Sequence, residues 1–386
     1  MPLGAGWIGR SSSILRFLQN RETKMYSADY KTEQIPLCYV PAEALRGVTQ
    51  AILRTTDLVA EDADIIADAL ITSELRNLQG QGQGVRRVRA YVERVRSREV
   101  DPRAPFEIVK ESAALALVDA HNGPGTVMAV KAMRLAMAKA QQQGVGIVLV
   151  RHSTHFGSAS YSASQVLGNG CIGVSMTNAG PEMAPWGGID GVVGTNPWAI
   201  VAPTGDGPDA MPIILDMALT TSGKGMMRWL LRDGKKMPTN WAITADGRET
   251  DDPAAAMDGT LLPMGEYKGY GLSLLTDVLT GVLGGGGYGV IPYRDPARQE
   301  VAHQFIAYQI DWFMERQAFY ANLQEFIGMV KASRTRPGVA EILLPGELEW
   351  RRQQEKLRSS VPLDPDVYAD LRQLASEVGV PWLPAA

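Results

Sequence analysis

Two of the chain's four histidines, His152 and His155, stand three residues apart in RHSTHFGS, residues 151–158. Imidazole gives or takes a proton near neutral pH without a large pKa shift, so this stretch is the first candidate for acid–base chemistry. It follows an apolar run, VGIVLVR, and precedes a helical pattern, which is where open α/β sheets place their ligands. The local pattern leaves three readings of His155 open: a proton donor in a partly dry pocket, a structural histidine held by hydrogen bonds, or half of a metal pair with His152. The metal pair has no further Cys or His cluster to complete it, so no metal is expected. Asp216 follows the run 212–215 and is either a helix cap or the partner that orients a histidine or a ribose hydroxyl. Asn196 before Pro197 reads as a rigid turn. TSGKG, residues 221–225, is not a phosphate loop, because Ala218 stands where the first glycine is required. Arg87 lies beside the glycine-rich NLQGQGQGVRR and offers a planar fork that matches a carboxylate; the competing reading is an arginine that only faces water.

The elements around these residues follow from periodicity. Between Pro41 and Arg98 the pattern is helical, with Leu45, Val48, Ala51 and Ile52 on one face, then Ala63, Ile66, Ala67 and Leu70, then Val85, Val88, Val92 and Val95. From about Leu115 the pattern changes. ALALVDA, VGIVLVR, CIGVSMTN, GTNPWAIVAP, PIILDMA and HQFIAYQI read as strands. GPGTVMAVKAMRLAMAKAQQQG reads as a long helix ended by Gly144, and KGYGLSLLTDVLTGVL as another. After Asp311 the chain is helical again, and AEILLPGELEWRRQQEKL predicts a short strand followed by a helix. The layout is α/β: helical flanks around a sheet-rich middle. The expected division is a disordered leader at 1–24, with a targeting peptide as the alternative, an N-terminal helical domain at 25–113, a central α/β domain at 114–310 and a C-terminal helical segment at 311–386 that packs with the N-terminal domain.

The chain has 386 residues, 45% of them apolar, and a net charge of −4, enough for one large or two medium domains. No apolar window approaches the roughly eighteen residues of a membrane span. A mildly acidic chain without a basic stripe gives no reason to invoke nucleic acid. Two cysteines, Cys38 and Cys171, fit a reduced, cytoplasmic protein. GAGWIGR, residues 4–10, matches the dinucleotide fingerprint G-x-G-x-x-G. Only three residues precede it, however, and the fingerprint needs a strand there, so it is read as part of the leader.

RHSTHFGSASY, APWGG (184–188), GTNP (194–197), LDMA (215–218), LLPMGEYKGYGL and LPGE (344–347) occur in an order and at a spacing that resemble the malate/L-lactate dehydrogenase family. That family also holds ureidoglycolate dehydrogenase, L-sulfolactate dehydrogenase, diketogulonate reductase and Δ1-piperideine-2-carboxylate reductase. The resemblance implies a non-Rossmann α/β fold with a largely antiparallel central sheet and a helical domain made from both chain ends. It implies NAD or NADP as cofactor and a homodimer with the active site near the subunit boundary. By the same resemblance Ala179, Asn196, Asp216, Met217, Ala218, Lys268 and Gly269 contact the cofactor, His155 is the acid/base, and Arg87 holds the carboxylate of a small carboxylic acid substrate. Where relatives read S-H-G-V-x-R, this chain reads GQGVRR, so Gln83 replaces a histidine that donates a proton in one branch. Glutamine donates a hydrogen bond but no useful proton at neutral pH.

The reaction expected is hydride transfer between the nicotinamide and a 2-oxo acid/2-hydroxy acid pair or a cyclic 2-imino acid. His155 protonates the developing oxyanion or amine, and Asp216 orients it or touches the nucleotide. The alternative is a degenerate member that binds the nucleotide without the usual catalysis because of Gln83. Arg86 and Arg89 beside Arg87 raise a further expectation, a substrate with two carboxylates; otherwise they face water.

Overall fold

A computed structural model describes residues 37–78, 84–295 and 297–382. Gln83 and the N-terminal glycine stretch lie outside these. In chain order the strands are β1 (Cys38–Val40), β2 (Glu107–Glu111), β3 (Leu115–Asp119), β4 (Val145–Ser153), β5 (Cys171–Thr177), β6 (Trp198–Ala202), β7 (Ile213–Met217), β8 (Ala242–Ile243), β9 (Thr260–Leu261), β10 (Val301–Gln309) and β11 (Val361–Leu363). Seven of them form one sheet in the order β2-β3-β4-β10-β5-β6-β7. Only β3 and β4 run parallel; every other neighbouring pair in the sheet is antiparallel. The fold is therefore mixed α/β with a mostly antiparallel sheet.

The parallel pair requires a crossover, and the helix Gly125–Gln143 supplies it. Its small residues Ala129, Ala132, Ala136 and Ala140 are fully buried and let it lie close on the sheet. Gly146 on β4 belongs to the same close approach, since a Cβ there would meet the Ala136 carbonyl oxygen at 2.0 Å. Gly144 ends the helix with φ +82°, a conformation that favours glycine. β10 enters late in the chain yet lies at the centre, with His303 opposite Val150 on one side and Thr177 on the other.

The helices Ala42–Leu53, Ala60–Leu75 and Val88–Arg96 form a second core. Leu45, Ile52, Ile66, Leu70, Val88 and Val92 meet Val361, Leu363, Leu371 and Leu374 from the other end of the chain in it. β1 pairs with β11 beside them. A third, smaller core gathers Met227, Leu230, Trp241 and Leu261.

Two local expectations are corrected. The strand predicted within AEILLPGE does not form; one bond, Ile214 N–H to the Pro345 carbonyl at 3.0 Å, ties that segment to β7. The helix predicted through KGYGLSLLTDVLTGVL is regular over Tyr267–Asp277, then widens to a π turn at Val278–Val282. β2 escapes the apolar pattern because it is a fully exposed, charged edge strand, a common guard against strand-to-strand association.

Candidate active site

Each residue of the histidine loop has its own anchor. Asp119 at the end of β3 accepts from Arg151 Nε at 3.0 Å and bonds His152 Nδ1 at 2.8 Å. Thr154 Oγ1 accepts the Gly125 N–H at 2.9 Å and donates to the Gly123 carbonyl at 3.0 Å, which ties the loop to the start of the crossover helix. The His155 N–H donates to Gln299 Oε1 at 2.9 Å. Phe156 stacks on the buried His303 at 4.8 Å between ring centroids. Ser158 Oγ and the Ser160 N–H donate to Asp216 Oδ2 at 3.4 and 3.1 Å.

The His155 ring accepts the Gly157 N–H on Nδ1 at 3.1 Å. A neutral ring that accepts on Nδ1 carries its proton on Nε2. Burial, then the charges of Arg87 and Arg94, push the His155 pKa down to about 3. The ring is thus neutral across the ordinary pH range, with Nε2–H as a donor. Desolvation and two cations hold the second proton off the ring in the ligand-free protein.

Arg87 ends a short 3₁₀ turn, Val85–Arg87, that begins at Gly84 with φ +97°. Its Nε is buried and has no hydrogen-bond partner among the described residues. Burial lowers its pKa; the nearby groups are Tyr91, Arg94, Tyr293 and Arg228. Arg87 and Arg94 both act on the neutral histidine; Arg94 is paired with Glu99, whereas Arg87 keeps an unused donor that suits an anion. Tyr293 keeps 36% of its surface exposed, yet its phenol is desolvated, with a raised pKa, beside Arg94 and Arg87. Its φ is +64°, strained for a tyrosine.

A second group of residues lies against the first. The Leu219 N–H donates to Thr195 O at 2.8 Å, the Met264 N–H to Leu219 O at 3.0 Å and the Gly269 N–H to Met264 O at 3.0 Å. These bonds join GTNP, LDMA and PMGEYKG, so the neighbours of Asn196, Met217, Ala218 and Lys268 form one patch. A Cβ on Gly269 would meet Met264 O at 2.4 Å and Leu219 O at 2.6 Å, so the junction requires glycine. Lys268 is exposed in the first turn of its helix, and Ala179, Met217 and Ala218 are partly open. A lysine beside open main chain suits an anionic dinucleotide. The Tyr293 ring packs on Gly180, next to Ala179, and so links this patch to the Arg87 pocket.

Asn196 is fully buried. Its Oδ1 accepts the Ala179 N–H at 2.8 Å and its Nδ2 donates to Ser273 O and Asp277 Oδ2 at 2.8 and 3.0 Å. It offers no open surface to a cofactor and instead fixes Ala179. Asp216, spent on Ser158 and Ser160, makes no hydrogen bond to His155; it caps the helix Ala159–Ala163. Burial raises its pKa against those bonds. Arg86 pairs with Asp364 at 3.3 Å, and Arg89 with Asp370 and Glu377 at 2.5 and 2.8 Å. Neither is available for a second carboxylate, because the C-terminal helix Pro365–Glu377 and its cap supply their anions. Among the described residues no group of three or more His, Cys, Asp or Glu comes together to hold a metal. Sequence reasoning passed over Arg94, Tyr91, Tyr293, Gln299, Glu99 and Asp277. Arg94 alone left a signal, seven residues or two helical turns beyond Arg87.

Comparison with known proteins gives the family. The profile described as malate/L-lactate dehydrogenase matches residues 40–372. A malate dehydrogenase of Pyrococcus abyssi is 35% identical over 353 residues, covering 89% of this chain and 96% of that protein. An L-sulfolactate dehydrogenase of Methanocaldococcus jannaschii is 34% identical over 332 residues, covering 85% and 94%. The solved structure of a sulfolactate dehydrogenase from that organism superposes with a TM-score of 0.81 at 33% identity, covering 89% of this chain and 98% of that one. A ureidoglycolate dehydrogenase (NAD(+)) of Escherichia coli is 29% identical over 333 residues, covering 85% and 93%. The chain belongs to the malate/L-lactate dehydrogenase family and is a dehydrogenase.

Proposed function

We propose that the protein reduces a small 2-oxo acid or cyclic 2-imino acid, and oxidises the corresponding hydroxy or amino acid, with NAD or NADP. The observation that carries this reading is the buried, unpartnered Arg87 Nε beside a neutral His155. The chemistry that a bound nicotinamide supplies is hydride donation to the carbonyl or imine carbon. Arg87 binds the substrate carboxylate and sets the reacting face. His155, protonated in the substrate complex, delivers a proton from Nε2 to the developing oxyanion or amine and so completes the reduction that the hydride begins. Pairing of Arg87 with a carboxylate also relieves part of the field that holds His155 unprotonated, so the ring gains proton affinity as the substrate binds. Lys268 and the main chain at Ala179 and Met217–Ala218 hold the dinucleotide, while Asn196 and Asp216 position those segments.

The working unit of this proposal is a cytoplasmic homodimer. The two cysteines are unpaired, and no helix among the described residues is long and apolar enough to cross a membrane. The reading is tested by following absorbance of NADH and of NADPH separately against a panel of 2-oxo acids and cyclic imino acids. Substrate-dependent oxidation of either supports it. Nucleotide binding without turnover of any of them favours the degenerate reading instead.

A further inference from the structure

We propose that Gln299 and Glu99 form a clamp that positions His155 for the reaction, an inference that rests on the function proposed above. Gln299 is 1% exposed. Its Oε1 accepts the His155 N–H at 2.9 Å, and its Nε2 donates to Glu99 Oε1 at 2.8 Å. The same Glu99 oxygen pairs with Arg94 Nε at 3.3 Å. The Gln299 carbonyl accepts the Tyr293 N–H at 2.9 Å, and the Glu99 carbonyl accepts from Asn122 Nδ2 at 2.8 Å. One residue, through its side chain and its main-chain carbonyl, therefore joins the loop carrying His155, the loop carrying Tyr293 and the segment that follows the helix Val88–Arg96.

The polarity of this chain of bonds is fixed. A buried amide needs a donor at its oxygen and an acceptor at its nitrogen, and here each end meets its complement. Arg94 holds the Glu99 carboxylate, the carboxylate orients the Gln299 amide, and the amide fixes the main chain at His155. The clamp is bracketed by residues in the left-handed region, His152 at φ +50°, Tyr293 at +64° and Glu300 at +54°. Such backbone persists where surrounding contacts over-determine it. Gln299 and Glu99 are positioning residues: they set the distance between the His155 ring on the sheet side and the arginine pocket on the helical side, without themselves meeting the reacting atoms.

The test is a polarity swap. Gln299→Glu places a carboxylate against Glu99 and removes the donor. Combining it with Glu99→Gln restores both bonds of the residue-299 side chain, because the new carboxylate accepts from the His155 N–H and from the new amide, while the Arg94–Glu99 ion pair is given up. Gln299→Met, which removes both side-chain bonds without adding charge, is the second single variant. Two readouts are taken: deuterium uptake of the 152–158 segment, and kcat with KM alongside the dissociation constant for reduced nucleotide. The expected result for the single variants is faster exchange and a kcat lower by about 10- to 100-fold, as for small misplacements of a reacting group. Nucleotide binding stays unchanged, and the swap has a higher kcat than Gln299→Glu alone, the sign of coupled residues. Unchanged exchange in both single variants, or a swap no better than Gln299→Glu, overturns the clamp. Exchange is read without turnover, so the clamp stands or falls separately from the catalytic reading.

Discussion

At His155 the type of side chain and its protonation state have different origins. RHSTHFGS shows in the sequence that an imidazole is available; what it does depends on Arg87 and Arg94, brought from 60 and more positions away. The folded pKa of about 3 lies below the usual histidine value, so the sign of the pH dependence is set. Between those two pH values the unfolded chain binds a proton at this position that the folded protein does not, and stability falls as the solution is acidified through that window. The same holds for His303, also pushed down to about 3 by burial. For catalysis, kcat/KM reports the free enzyme. The expected profile for 2-oxo acid reduction shows no histidine limb between about pH 5 and 8. A limb centred near the ordinary histidine value in that profile, absent from the His155→Gln variant, would show that His155 titrates normally.

At the scale of elements, strands β3, β4, β5, β6, β7 and β10 and the crossover helix were legible, because each records its own burial in its apolar pattern. The pairing was not: β10 between β4 and β5 joins segments whose partners lie more than 120 residues apart in the chain, and local pattern carries no such information. The same limit hid Gln299, which meets His155 across 144 positions. Asn196 was legible as a turn but not as the partner of Asp277, which lies 81 positions away in the chain. Gly125 shows what the elements do for the site. A Cβ there would meet Thr154 O at 2.0 Å and His155 O at 2.6 Å. Gly125→Ala is expected to cost about 1–3 kcal/mol, as overpacking does, and to lower kcat by moving the loop. Gly47, mid-helix with nothing within 4 Å of its would-be Cβ, is the control; Gly47→Ala is expected to stabilise by about 0.5–1 kcal/mol with kcat unchanged. Urea unfolding and steady-state rates on both variants check the contrast.

At the scale of the molecule, two helical segments expose large apolar side chains among the described residues. Leu275, Val282 and Leu283 are 53, 51 and 64% exposed along the Tyr267 helix and its π turn, and Phe313, Phe326 and Met329 are 74, 59 and 61% exposed on and just before the helix Arg316–Lys331. Exposed apolar residues in such number mark an interaction surface, and a second copy of the chain is the proposed occupant. Light scattering is expected to return twice the chain mass, and Leu275→Lys combined with Leu283→Lys to shift it toward the monomer. A wild-type monomer at micromolar concentration would contradict the homodimer.

The central claim is that Arg87 holds the substrate carboxylate beside His155, and the most direct measurement is the kinetics of Arg87→Gln on the best 2-oxo acid substrate. The account predicts a fall in kcat/KM of at least about 10²-fold, the scale of losing charge-assisted hydrogen bonds, with the dissociation constant for reduced nucleotide unchanged. A kcat/KM within about twofold of the parent protein, where no transition-state interaction has been lost, would contradict it.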